Sequence, residues 1–199
     1  MIAERRAPAP FAWIAALAFA SGFPFGLINE ALPVYLRSGG ATLVDVGLVA
    51  AATFPWTFKF LWAPVLDRTG TRKQWIAGCL VLLVLVIPLI ARVDASQHSQ
   101  IFFALIVLAV TLSATQDVAI DAFTIQATPR EQLGLANSVR IGAYRTAMLV
   151  SGGVIIWLAG RKGWPAAFTA ATVVTAVLAA AAKSGSASKG SSSTRLAIA

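Results

Sequence analysis

Six ionisable side chains interrupt otherwise apolar runs of this 199-residue sequence: Glu30, Lys59, Asp117, Asp121, Arg140 and Arg145. At a bilayer centre each would cost on the order of 2.5–3.5 kcal/mol, so such groups face a bundle interior or a wet cavity and mark polar pathways. Asp117 and Asp121 are four apart, which on a helix sets one above the other on the same face. Two carboxylates that close in low dielectric do not both ionise comfortably, and a carboxyl that gains and loses a proton is what proton coupling requires. Glu30 is a third acid of this kind. The competing reading is that Arg140 and Arg145 neutralise both aspartates, an Asp121–Arg140 pair near one membrane face being purely structural. Lys59 stands among Phe58, Phe60, Leu61 and Trp62, so it needs a carboxylate partner, a water-filled cavity or an anionic ligand. Arg145, next to Tyr144, offers a planar fork of donors suited to carboxylate or phosphate. A cavity lined by these bases favours an anionic or sugar-acid solute. Trp56 and Trp62 could stack on a sugar face or simply pack.

The elements that must position these groups are membrane helices. The chain is 58% hydrophobic and 12% charged, whereas a soluble domain carries roughly 25% charged residues. Its mean hydropathy is +0.77. The apolar residues fall in six blocks, each near the roughly 20 residues that a bilayer requires. The expected fold is an all-α membrane protein with helices over about Phe11–Leu36, Leu43–Leu66, Gln74–Ala91, Gln100–Thr128, Leu135–Ala159 and Pro165–Ala182. Residues 1–10 are expected to be a cytoplasmic N-terminus, and residues 183–199, rich in Ser, Gly, Ala and Lys, a disordered cytoplasmic tail. Arg5 and Arg6 before an apolar stretch suggest a signal peptide, but that stretch is too long for one, so an uncleaved first span is expected.

Acids lie on helices one and four and bases on helices two and five, with Glu30 and Asp117 at similar distances along theirs. That pattern suggests two three-helix inverted repeats. Gly22 and Gly26 flank Pro24 on helix one, a small-xxx-small spacing that permits close helix approach. Pro33, Gly142 and Ser151-Gly152-Gly153 add further breaks. Cys79 is the single cysteine, which leaves no intramolecular disulfide and favours a packing role. His98 is expected in an outer loop without a second ligand, so no metal and no cofactor is expected.

The net charge of +8 would suggest nucleic acid in a soluble protein. Here the basic residues lie mainly in short connections, where they set orientation instead. With the N-terminus inside, the cytoplasmic segments hold nine basic residues: Arg5, Arg6, Arg68, Arg72, Lys73, Arg130, Lys183, Lys189 and Arg195. The outer segments hold four, Arg37, Arg92, Arg161 and Lys162. Both termini are therefore expected inside, the Arg161-Lys162 pair arguing the other way.

After helix two comes Ala63-Pro-Val-Leu-Asp67-Arg68-Thr-Gly70-Thr-Arg72-Lys73. This resembles the cytoplasmic loop signature of the major facilitator superfamily, in which the loop gates movement between two halves. Asp67, Arg68, Gly70 and Arg72 fit; Ala63 replaces the usual Gly, and Thr71 takes the first of two basic positions, Lys73 following Arg72. Asp67 could meet the positive N-terminus of a neighbouring helix. Phe58-Lys59-Phe60-Leu61-Trp62-Ala63-Pro64, Gln116-Asp117-Val-Ala-Ile-Asp121-Ala122 and Tyr144-Arg145 with Met148-Leu149-Val150-Ser151-Gly152-Gly153 resemble the AmpG-type muropeptide permeases and related acetyl-coenzyme A transporters. The resemblance spans roughly residues 11–168. It implies solute import across a bacterial inner membrane, driven by the proton gradient, and adds Gln116 to the substrate-binding candidates Lys59, Arg145 and Tyr144.

That family has twelve or more spans in two halves, and this chain has six. The expected partners are therefore a small solute, protons, the lipid bilayer, and either a second six-helix half or a second copy; no nucleic acid is expected. Alone, the chain is expected not to transport. Two other readings compete: a truncated, non-transporting remnant or assembly partner, and a membrane enzyme using Asp117-x-x-x-Asp121 as a magnesium-diphosphate site. The enzyme reading lacks the second aspartate-rich motif such enzymes carry.

Overall fold

Each apolar block becomes helix in the computed structural model of the chain, which describes residues 11–93 and 100–187. Among the described residues, six helical stretches are long and apolar enough to cross a membrane: Phe11–Ser38, Leu43–Leu61, Arg72–Arg92, Gln100–Ala127, Arg130–Lys162 and Trp164–Lys183. They are called spans one to six below. The helix of span six runs on to Ala187, past the boundary expected at residue 182. The expected N-terminal segment, His98 and the remainder of the tail lie outside the described residues.

The chain's own side chains start the helices. Ahead of span two the Thr42 hydroxyl accepts the Asp45 N–H while the Asp45 carboxylate accepts the Thr42 N–H. Thr71 and Gln74 repeat the arrangement ahead of span three. Each such box satisfies two donors that a helix start leaves without partners.

Span two departs from expectation. Instead of one helix over Leu43–Leu66 it forms three pieces, Leu43–Ala51, Phe54–Thr57 and Ala63–Arg68, with a 3₁₀ turn at Lys59–Leu61. Pro55 and Pro64 have no N–H and sit in the opening turns of the second and third pieces, where a missing donor is harmless. The Thr53 hydroxyl donates to the Ala50 carbonyl at 2.7 Å, which competes with the helical ladder at the first break.

Two breaks expected from sequence take the form of widened π turns rather than sharp kinks. In span one the turn is Leu27–Ala31, where the Leu32 N–H reaches the Leu27 carbonyl. Pro33 follows and cannot donate to the Asn29 carbonyl, so a helical rung is missing there. In span five the turn is Val150–Val154, over Ser151-Gly152-Gly153. The two widened turns touch each other.

Spans one and four form the centre: in an 18-residue apolar stretch of each, 61% and 50% of residues are buried, against 17% for span two and 22% for span five. Phe23, Leu27, Leu83, Ile87, Ile106 and Phe168 join spans one, three, four and six in the main core. Cys79 is buried. Span one packs on span five and span four on span two; span three packs on span four and span six on span one. Exchanging one with four, two with five and three with six maps this contact pattern onto itself. That is the architecture of two inverted three-helix repeats.

Candidate functional site

Asp117 is 4% exposed and is the centre of a charged network. Lys59 reaches from span two to its Oδ2 at 2.5 Å, the Ser21 hydroxyl donates from span one to Oδ1 at 3.0 Å, and the Arg140 guanidinium lies 3.8 Å from Oδ1. Arg140 also pairs with Asp121, one turn along span four. A carboxylate taken out of water needs such partners, because attraction between unit charges about 4 Å apart reaches about 4 kcal/mol at an effective dielectric constant near 20. The 3₁₀ turn places Lys59 where its ammonium meets Asp117 and also stands 4.7 Å from the centroid of the Trp56 ring. The broken helix of span two is thus what aims the lysine.

Two pairings left open by the sequence are decided by this geometry. Asp121 does pair with Arg140, and Lys59 finds a carboxylate partner. The competing reading, in which Arg145 helps neutralise the aspartates, does not hold: among the described residues Arg145 forms no ion pair. It faces the cavity instead. That cavity, about 400 Å³, lies against Lys59, Asp117, Arg140, Tyr144 and Arg145. Phe25, Trp56 and Tyr144, from spans one, two and five, form an aromatic wall; the Phe25 and Trp56 ring centroids are 4.2 Å apart and those of Phe25 and Tyr144 5.9 Å. Two acids and two bases in the network balance, so Arg145 leaves the cavity with one uncompensated positive charge.

Close packing of spans one and five builds this wall. A Cβ at Gly22 would lie 2.6 Å from the Tyr144 carbonyl oxygen, and one at Gly26 would lie 2.8 Å from the Met148 Cα. Only hydrogen fits at either position, which brings Phe25 across to Tyr144. The small-xxx-small spacing therefore has a specific consequence at the site.

Other candidates fall elsewhere. Glu30 is not part of the Asp117 network; it is exposed to a second cavity, which Arg145 also lines. Gln116 is fully buried, its amide nitrogen and oxygen both without hydrogen-bond partners, and it does not line the Asp117 cavity. Adjacent to Asp117, it points about 100° away around the helix. In the loop after span two, Gly70 has φ +72, a conformation that favours glycine, and the Trp75 indole N–H donates to the Thr69 carbonyl at 2.6 Å. Arg68 is exposed, and Arg72 and Lys73 are half-buried. The Asp67 side chain, and with it the expected contact to a helix N-terminus, lies outside the described residues. Ser21 was not expected at the site. Its available signal was a hydroxyl beside Gly22, on a helix otherwise apolar at that depth.

Six spans in inverted halves around a buried charged network invite comparison with transporters. The family model described as Major Facilitator Superfamily matches residues 14–193. The chain belongs to that superfamily. Among curated relatives, an anhydromuropeptide permease of Escherichia coli K12 is 32% identical over 74% of this chain and 31% of its own length. An uncharacterised Haemophilus influenzae protein is 33% identical over 75% of this chain and 36% of its own. A transporter of Rickettsia conorii named AmpG 4 is 28% identical over 79% of this chain and 41% of its own. The chain thus spans about a third of the length of the curated relatives it matches. Major facilitator proteins are multi-pass membrane transporters, not enzymes, and the AmpG-like resemblance expected from the motifs is real. The diphosphate-enzyme reading also loses its chemistry, since Lys59 and Arg140 already engage both carboxylates of Asp117-x-x-x-Asp121.

Proposed function

We propose that this chain provides the N-terminal six spans of a secondary active transporter that takes up an anionic or sugar-acid solute, such as a muropeptide, coupled to protons. The carrying observation is the uncompensated Arg145 guanidinium on the wall of an aromatic-lined cavity. Its planar fork suits a carboxylate, and the faces of Trp56, Tyr144 and Phe25 suit a sugar ring. Anhydromuropeptide is what the Escherichia coli relative's name specifies. The Asp117 network supports the coupling: protonation of Asp117 would release Lys59 and leave Arg140 to Asp121 alone. Lys59, Tyr144 and Arg145 serve the solute and Asp117 and Asp121 the proton; Gln116, buried off the cavity wall, has no contact with the solute in this reading. The loop Asp67, Arg68, Gly70, Arg72 and Lys73 serves as the gate. The charge bias of the loops supports both termini being cytoplasmic, and the bacterial relatives support an inner-membrane location.

The partner in this reading is a second six-helix half, or a second copy, facing spans two and five. The decisive experiment is uptake of labelled anhydromuropeptide into proteoliposomes by the chain joined to a second half. Uptake is expected, and Asp117→Asn combined with Lys59→Ala should abolish it. Unchanged uptake by that double variant would sink the site assignment.

A further inference from the structure

The second cavity, about 540 Å³, lies between spans one and five, with Glu30, Arg145, Met148 and Gly152 on its walls. Glu30 and Arg145 are both exposed there. Among the described residues neither forms an ion pair or a side-chain hydrogen bond with any group, each other included. Opposite charges sharing a cavity within a membrane span ordinarily close on each other. Here they do not pair. Glu30 sits in the widened turn of span one, and its Cβ and Cγ lie where a Cβ on Gly152 would come within 3.0 and 3.3 Å of them. Glu30 is thereby braced on the widened turn of span five.

The inverted repeat sharpens the contrast. The exchange that maps span four onto span one and span two onto span five pairs the spans that carry Asp117 and Lys59 with those that carry Glu30 and Arg145. Asp117 and Lys59 are shut on each other at 2.5 Å; Glu30 and Arg145 line one cavity without pairing. A carboxylate and a guanidinium facing one space, with Met148, Leu149 and Ile156 between, complement a ligand that carries both charges on a short hydrocarbon frame.

We propose that this cavity is a zwitterion subsite, where Glu30 receives the ammonium and Arg145 the carboxylate of an amino-acid or peptide terminus. It deepens the function proposed above and rests on it through Arg145, which lines both cavities. A solute with a sugar-acid part and a peptide part would span the two. Glu30 is then a specificity residue rather than a proton carrier.

The test is binding of four probes to the purified 199-residue chain in lipid nanodiscs, by calorimetry: L-alanyl-L-alanine, its N-acetylated form, its C-terminal amide, and N-acetylmuramic acid. On the wild-type chain, acetylation and amidation should each weaken dipeptide binding at least tenfold. Glu30→Gln should weaken the free dipeptide about tenfold and erase the penalty for acetylation, while Arg145→Gln erases the penalty for amidation. Equal binding of the three peptides to the wild type overturns the subsite, as does discrimination that survives Glu30→Gln. The peptide series needs no variant to fold. N-Acetylmuramic acid reads the other reading separately: if it binds while the peptides are not discriminated, only the zwitterion subsite falls. If it fails to bind while the peptides are discriminated, the sugar-acid reading falls and the subsite stands.

Discussion

At the scale of single residues, the site is a question of which charge is already satisfied. Asp117 has three partners and Arg145 none among the described residues. Replacing Asp117 with Asn should lower stability by about 1–3 kcal/mol, the typical loss when a charged hydrogen-bonding partner is removed. Because Lys59 would then be stranded, adding Lys59→Met should restore part of the loss. Thermal unfolding of the two single variants and the double variant checks this, and strict additivity would show that the two groups are not coupled. Arg145→Lys keeps the charge but loses the fork, so the Kd for N-acetylmuramic acid should rise roughly tenfold, as calorimetry would show.

The elements matter through their irregularities. Span two is broken by Pro55 and Pro64, and that break presents Lys59. Spans one and five each carry a widened turn, and both meet where Glu30 lies against Gly152. Between those spans, glycine is a spacing requirement. Gly22→Val should cost about 1–3 kcal/mol by forcing the helices apart, and the separation should also weaken solute binding as Phe25 leaves Tyr144. Gly142→Ala, where an added Cβ meets nothing within 4 Å, should be neutral or gain up to about 1 kcal/mol. Melting temperatures of the two variants side by side separate spacing from helix propensity.

At the scale of the whole molecule, the least buried spans carry the bases of the site. Phe54, Phe58, Phe60 and Leu61 on span two and Leu135, Ile141, Leu149 and Trp157 on span five are exposed apolar residues. Those faces adjoin the cavity, so the partner that covers them would also close it. A second six-helix half expressed as a separate chain should co-purify with this one from detergent, and uptake should appear only when both are reconstituted. A protonophore should abolish accumulation against a gradient; accumulation that survives it would exclude proton coupling.

Composition and hydropathy determined the solvent, the six helices and their approximate bounds, because burying a backbone in lipid leaves a long apolar helix as the available solution. The motifs placed the chain in its superfamily, and the spacing of Asp117 and Asp121 put them on one helix face. Even the alternation of acids and bases between spans was legible. Pairing was not, because Lys59 and Asp117 lie 58 positions apart and only the packing of spans two and four brings them together. The same holds for Ser21, and for Gln116, whose neighbour relation to Asp117 in sequence became a turn away from the cavity. Sequence supplied the charges; the tertiary structure decided which pair closed and which stayed open, since the close approach of spans and the wide turns that Pro33 and Gly152-Gly153 permit set where each side chain can reach.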